Sequence, residues 1–157
     1  MDPLDGRILD ALQKDFPLCE RPFQVIGDRL DCSEEEVRRR VQGMIKEGVI
    51  RRIGVSLDSR KLGFASTLAA VRVKSEAVPH ASEVINAYAE VTHCYLRKDA
   101  FNIWFTVIAP SNARIEEILR EIGEALSLDS SSILNVPMER LFKLDARFEV
   151  SPSKDGI

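Results

Sequence analysis

Several residue types are scarce in this chain, and each shortage closes off a class of function. There are three cysteines, Cys19, Cys32 and Cys94, odd in number and set in no motif. That excludes a disulfide framework and a structural zinc spacing, and it points to a reducing compartment. The two histidines, His80 and His93, add no metal-ligand spacing. No basic N-terminal region leads into an apolar run, and no run is long enough to span a bilayer. A cytoplasmic protein without a membrane partner is therefore expected. The net charge of −3 gives no general attraction to nucleic acid or to anionic lipid. What remains is ordinary for a soluble domain with a real core, at 45% hydrophobic and 30% charged residues over 157 positions. That length allows one domain or two small ones.

Periodicity divides the chain. Residues 3–15 place Leu4, Ile8, Leu9 and Leu12 on one helical stripe, and the two prolines of "FPLCERPF" end it. A second short helix over Phe23 to Leu30 turns Val25, Ile26 and Leu30 inward. Ser33 then reads as an N-cap, with Glu36 completing a capping box. The third helix runs to about Glu47, buries Val37, Val41, Met44 and Ile45, and stops at Gly48. "VIRRIGVSLD" comes next as a β-rich wing. Residues 1–57 are thus expected to form a winged helix-turn-helix.

From Leu62 the pattern changes to strand, helix, two strands, helix and a final extended stretch over "SILNVPMERLFKLDARFEV". The order β-α-β-β-α-β is that of a ferredoxin-like plait, with both helices on one face of an antiparallel sheet. An α+β fold is expected, with the plait over residues 58–150 and a tail over 151–157. The other sheet face is open unless a second subunit covers it.

The hairpin "VTHCYLRKDAFNIWFTV" at 91–107 holds the chemistry. Side chains alternate along a strand, so His93, Tyr95 and Arg97 share one side of its first strand. Asn102, Trp104 and Thr106 share a side of the second, opposite Phe101, Ile103, Phe105 and Val107. The apolar set faces a core with Cys94 and Leu96. A merely solvated face has no need of imidazole, phenol, guanidinium, carboxamide and indole together.

The helix-turn-helix carries little that would hold DNA. The recognition helix begins Ser33-Glu34-Glu35-Glu36, which turns carboxylates toward a polyanion, although acids there also suit the helix dipole. Arg38, Arg39 and Arg40 come after them and could touch phosphate. Residues 1–57 hold ten basic and eleven acidic residues, whereas a DNA reader is usually basic. DNA binding is not expected.

A winged helix-turn-helix leading into such a plait resembles the Lrp/AsnC family, mostly regulators that dimerise through the plait sheets. The strings "DFPLCERPF", "GVIRRIG", "LGFASTLAAVRV", "VTHCYLRKDAFNIWFT" and "ERLFKLDARF" more closely resemble one branch of it, the siroheme decarboxylases and the related proteins of haem d synthesis. The resemblance spans essentially the whole chain. One position departs: Cys94 stands where many relatives have asparagine. The resemblance implies a pair of homologous subunits, a heterodimer, that removes carbon dioxide from the acetates at ring positions twelve and eighteen of siroheme. It belongs to an alternative route to haem. No cofactor is implied beyond the iron of the siroheme substrate itself.

The same resemblance implies candidate roles. Siroheme carries many carboxylates, and the arginine fork pairs well with them. Arg51 and Arg52 in the wing, Arg97 on the hairpin, and Lys143 and Arg147 on the last strand are the candidates to grip it. Adjacent Arg51 and Arg52 cannot both face the ligand in an extended segment. His93 is the natural proton donor, with Tyr95 to orient it, relay a proton or bind a carboxylate. His93 is alternatively an axial ligand to the substrate iron. Trp104 lines a dry pocket for the reacting acetate or is buried between two plaits. Asn102 binds a carboxylate or caps the turn. Arg21 belongs to a loop that could close on the site. The competing functions are an Lrp/AsnC-type regulator with a small-molecule effector in the plait, and a haem sensor without catalysis.

Overall fold

A computed structural model describes residues 1–150; the expected tail at 151–157 lies outside them. The chain divides into two units, residues 1–55 together with the stretch from Lys143, and residues 56–142.

Three helices build the first unit: α1 (Pro3–Lys14), α2 (Pro22–Leu30) and α3 (Glu34–Lys46). A reciprocal capping box starts α1. Asp2 accepts from the N–H groups of Leu4 and Asp5 at 2.9 and 3.0 Å, while Asp5 accepts from the N–H of Asp2 at 2.8 Å. Such boxes satisfy donors that a helix start otherwise leaves open. The core joins Ile8 and Leu9, Ile26, and Val37, Val41 and Met44 of the three helices. Ile45, expected inside, is 45% exposed. The buried stripe runs 37, 41, 44, and position 45 falls past its edge.

The box expected at α3 is only half made. Ser33 accepts from the N–H of Glu36 at 3.1 Å, but the Glu36 carboxylate is taken by Arg39 and Arg40 instead. Arg40 is the hub of this corner, binding Asp2 and Asp5 at 2.7 Å each as well as Glu36 at 2.6 Å.

The helix-turn-helix is present, but the residues expected to form its wing pair with no strand among the described residues. A ladder needs a second strand, and the chain instead enters a 3₁₀ turn at Ser59–Leu62 capped by Asp58. The stretch from Lys143 lies along α1. Gln13 donates to the carbonyl of Phe148 at 3.2 Å and accepts from its N–H at 3.4 Å. Asp10 accepts from the N–H of Val150 at 3.1 Å.

The second unit is the plait: β1 (Ala65–Val71), α4 (Val78–Asn86), β2 (Val91–Leu96), β3 (Ile103–Ala109), α5 (Asn112–Ala125) and β4 (Ile133–Pro137). The sheet order is β2-β3-β1-β4, all antiparallel. Strictly alternating β3 sends Ile103, Phe105 and Val107 into the core. There they meet Ile85 of α4 and Ile115, Ile118 and Ile122 of α5. Lys143 and Arg147, expected on the last strand, lie beyond it. Pro137 already pairs with Thr67, two residues from the start of β1, so the chain beyond it runs out of partner strand.

Gly27 fixes the corner between α2 and α3, since a Cβ there would sit 2.6 Å from the carbonyl oxygen of Cys32 and 3.3 Å from the nitrogen of Glu34. Gly27→Ala should therefore destabilise the fold by about 2 kcal/mol through overpacking, read as a lower urea midpoint at unchanged slope. The Arg40 hub has a pH signature. Hydrogen bonds from Arg39 and Arg40 hold Glu36 down at about 2, and Arg40 helps hold Asp2 and Asp5 below their ordinary values. Depressed carboxylates stabilise the fold above their unfolded pKa values, and that contribution is lost as pH falls. Stability should therefore drop from about pH 4.5 toward pH 2. Arg40→Ala should be less stable at neutral pH and show a shallower acid slope in urea titrations.

Candidate active site

Register decides which hairpin residues meet. Val91 faces Val107, but the next pairs are His93 with Thr106 and Tyr95 with Trp104, with a bulge between Val91 and His93. Thr92 is the inserted residue. Residues two apart normally share a face, so Val91, which packs on the core, would carry His93 inward with it. The bulge reverses this and puts His93 on the open face, beside Thr106. Cys94 then turns inward against the core, where burial pushes its thiol pKa up. Leu96, expected in that core, is 61% exposed, because β2 is the edge strand and ends there.

On the open face the three side chains form a ladder. The His93 and Tyr95 rings are stacked, with centroids 6.1 Å apart and planes 27° apart. The Arg97 guanidinium lies over the other end of this pair, 4.9 Å from the Tyr95 centroid. His93 Nδ1 is 3.1 Å from Thr92 Oγ1, and that hydroxyl donates to the carbonyl of Thr106 at 3.5 Å. That contact occupies Nδ1 and leaves Nε2 as the outward nitrogen. Thr92 is a site residue that sequence reasoning misses; a bulge has no signature in "VTHCY" alone.

Asn102 and Trp104 spend their polar groups on the chain itself. The Asn102 amide donates to the carbonyl of Val73 at 2.9 Å and accepts from its N–H at 3.1 Å. Its backbone N–H donates to Val71 and its carbonyl accepts from Arg97. It therefore pins the hairpin loop to the end of β1. Trp104 Nε1–H donates to the carbonyl of Phe101 at 2.7 Å, so the indole offers the open face its ring and not its donor. Beyond it, Leu68 of β1 and Val136 of β4 are each 44% exposed. The face is thus polar and aromatic along β2 and aliphatic along β1 and β4.

The remaining candidates lie elsewhere in the chain. Arg51, Arg52 and Lys143 are exposed in the first unit. Arg147 is taken by Asp145 at 2.8 and 2.9 Å, and Arg21 by Glu34. His80 is exposed on α4. A shallow depression of about 550 Å³ lined by Phe64, Ser66, Ser111 and Met138 sits at the far end of the sheet from the hairpin loop. Its Arg60 is already bound to Asp58. Among the described residues no cluster of His, Cys, Asp and Glu could hold a metal ion, and no helix is long and apolar enough to cross a membrane.

Residues 5–51 match the siroheme decarboxylase NirDL-like helix-turn-helix domain, and residues 61–143 match the AsnC-like ligand binding domain. The chain is 41% identical to the siroheme decarboxylase alpha subunit of Desulfovibrio desulfuricans over 96% of its own length and 85% of that protein's. The chain belongs to the siroheme decarboxylase family. A crystal structure of the siroheme decarboxylase NirDL with an iron-uroporphyrin III analogue is 28% identical at a TM-score of 0.68. It covers 94% of this chain, which spans only 48% of the NirDL chain. An AsnC family transcriptional regulator from Agrobacterium tumefaciens aligns at a TM-score of 0.75 and 24% identity over 94% of the chain and 96% of the regulator. That likeness shows the fold alone.

For a siroheme decarboxylase family member, the Asn102 clamp yields a prediction about precision. Asn102→Ala leaves both polar groups of Val73 without their side-chain partner, costing about 1–3 kcal/mol of stability. Asn102→Asp can still accept from the Val73 N–H but has no donor for its carbonyl. Urea unfolding should rank wild type above Asn102→Asp and Asn102→Ala; unchanged midpoints in both would show that the clamp is idle.

Proposed function

We propose that this chain is a subunit of a siroheme decarboxylase, which removes carbon dioxide from the acetates at ring positions twelve and eighteen to leave methyl groups. The carrying observation is the His93–Tyr95–Arg97 ladder, exposed on the open sheet face of a member of this family. Substrate iron is the only metal in this reading, and no separate cofactor takes part. We place the reaction in the cytoplasm and assign half of the working enzyme to a homologous partner subunit. The chain's match to about half of NirDL supports that division.

Each decarboxylation breaks the bond between the acetate CH₂ and its carboxylate. The electron pair left behind passes into the conjugated ring and returns to the carbon as a proton arrives. His93 supplies that proton from Nε2, the nitrogen turned away from Thr92. The same nitrogen would be the iron ligand in the alternative role, so one His93 cannot serve both at once. Tyr95 holds the imidazole from its ring face and presents its hydroxyl to the substrate. Arg97 grips a carboxylate that stays on the ring. A strong salt bridge to the departing carboxylate would stabilise the ground state and slow the step. The reacting acetate belongs in a drier place, against the Trp104 ring.

The regulator reading loses ground in the recognition helix. Arg38 is bound by Glu34 at 3.0 Å, Arg39 by Glu36 at 2.7 Å, and Arg40 by three carboxylates. Phosphate would have to compete with each of these pairs.

Anaerobic incubation with siroheme, alone and with the partner subunit, and then mass spectrometry, tests the proposal. Two successive losses of carbon dioxide are expected in the paired sample; binding without mass loss in either sample would indicate a sensor. His93→Ala should lower turnover about 100-fold or more while siroheme affinity falls far less. An unchanged rate would remove His93 from the acid role.

A further inference from the structure

We infer that Arg72, at the end of β1, is a second carboxylate-binding arginine of the open face, paired with Arg97 across the hairpin to hold two acid groups of one tetrapyrrole. This rests on the siroheme reading and adds a residue to it. The first ground is what the arginines of the plait unit already bind. Arg60 is bound by Asp58, Arg114 by Glu90 and Glu117, and Arg120 by Glu124. Among the described residues Arg72, Arg97 and Arg140 form no carboxylate ion pair, and Arg140, over the Phe142 ring at 5.0 Å, stands in the chain beyond β4. The other two also lie over aromatic rings, Arg72 at 5.6 Å from the Phe101 centroid and Arg97 at 4.9 Å from that of Tyr95. A ring face orients a guanidinium without using up its N–H donors.

Position is the second ground. Ala70 pairs with Trp104, and Trp104 with Tyr95. One residue past the end of β1 stands Arg72, and one past the end of β2 stands Arg97, on either side of Asn102, whose N–H donates to the carbonyl of Val71 and whose carbonyl accepts from the N–H of Arg97. Strand spacing sets their backbones roughly 10 Å apart. With each guanidinium held on its own ring, Phe101 for Arg72 and Tyr95 for Arg97, the pair suits two acid groups on neighbouring corners of a flat macrocycle. Trp104 lies between them one row back, where a ring plane can rest. The Asn102 clamp on Val73 ties this end of β1 to the hairpin loop, so the two arginines move as one body.

Arg72 does have local contacts. Its Nη2 donates to the carbonyl of Ser131 at 3.3 Å and to the hydroxyls of Ser131 and Ser132 at 3.4 Å. These are long bonds shared by a single nitrogen, and they leave the rest of the fork unspent. The nearby Asp129 carboxylate accepts from the Ser131 hydroxyl at 2.7 Å; hydrogen bonds from Ser131 and Ser132 hold it below its ordinary value, and the Arg72 charge adds to this without an ion-pair contact.

Titration of the full chain with iron uroporphyrin III, monitored at the Soret band, tests the assignment. Wild type should bind, and Arg72→Ala should raise Kd at least about tenfold. Arg72→Lys should fall between the two, since it keeps the charge but not the fork. Arg120→Ala, on the helix α5, is the control and should match wild type. If wild type binds and Arg72→Ala binds equally well, the assignment is wrong, even should the variant melt earlier. If wild type fails to bind both alone and with the homologous partner subunit, the siroheme reading itself fails.

Discussion

One inserted residue sets the chemistry of the open face. Without the bulge at Thr92, the alternation that buries Val91 would bury His93 as well. With it, β2 shifts by one residue and the imidazole, the phenol and the guanidinium fall in line on the exposed side. A bulge costs a ladder hydrogen bond and leaves a residue unpaired. Thr92 offsets part of that cost with its own hydroxyl, which reaches both the Thr106 carbonyl and the His93 ring. The residue that turns the strand is thus also the one that holds the imidazole.

The charged residues divide by the same logic of occupied and available partners. Arginines on the recognition helix are bound into a carboxylate network running from Asp2 to Glu36, which stabilises the helix corner and withdraws those cations from any polyanion. Arg72 and Arg97 at the hairpin end of the plait rest on rings, and each spends one guanidinium nitrogen on the chain's own oxygens and leaves the rest of its fork open. In the siroheme reading proposed above, that division is what leaves cations for the ligand's carboxylates.

The strands and helices of both units are legible in periodicity because their buried faces are regular: β3 alternates without exception, and α1 and α3 carry clean stripes. Periodicity fails where a segment needs a partner that sequence does not display. Residues 49–58 are apolar enough for a strand but among the described residues have no second strand to pair with, and the stretch beyond Pro137 outruns β1. At the site, alternation within β2 is enough to find His93, Tyr95 and Arg97. It cannot find Thr92, because the bulge arises from the β2–β3 register, a relation between strands. Nor can it find Arg72, because nothing in "AAVRVK" marks its lack of a carboxylate partner, which only three-dimensional pairing reveals.

The two roles open to His93 are not equally compatible with the hairpin. Thr92 occupies Nδ1, so only Nε2 can work, and it works either on iron or on a carbon. An axial ligand must stand nearly perpendicular to the macrocycle, which would lift the ring plane off this sheet face. Proton delivery to a peripheral acetate lets the macrocycle lie along the face, its edge toward His93 and its acids toward Arg97. The Trp104 ring, whose N–H is spent on the carbonyl of Phe101, suits the flat arrangement. On the proposed reading, that arrangement leaves any iron ligand to groups outside this ladder.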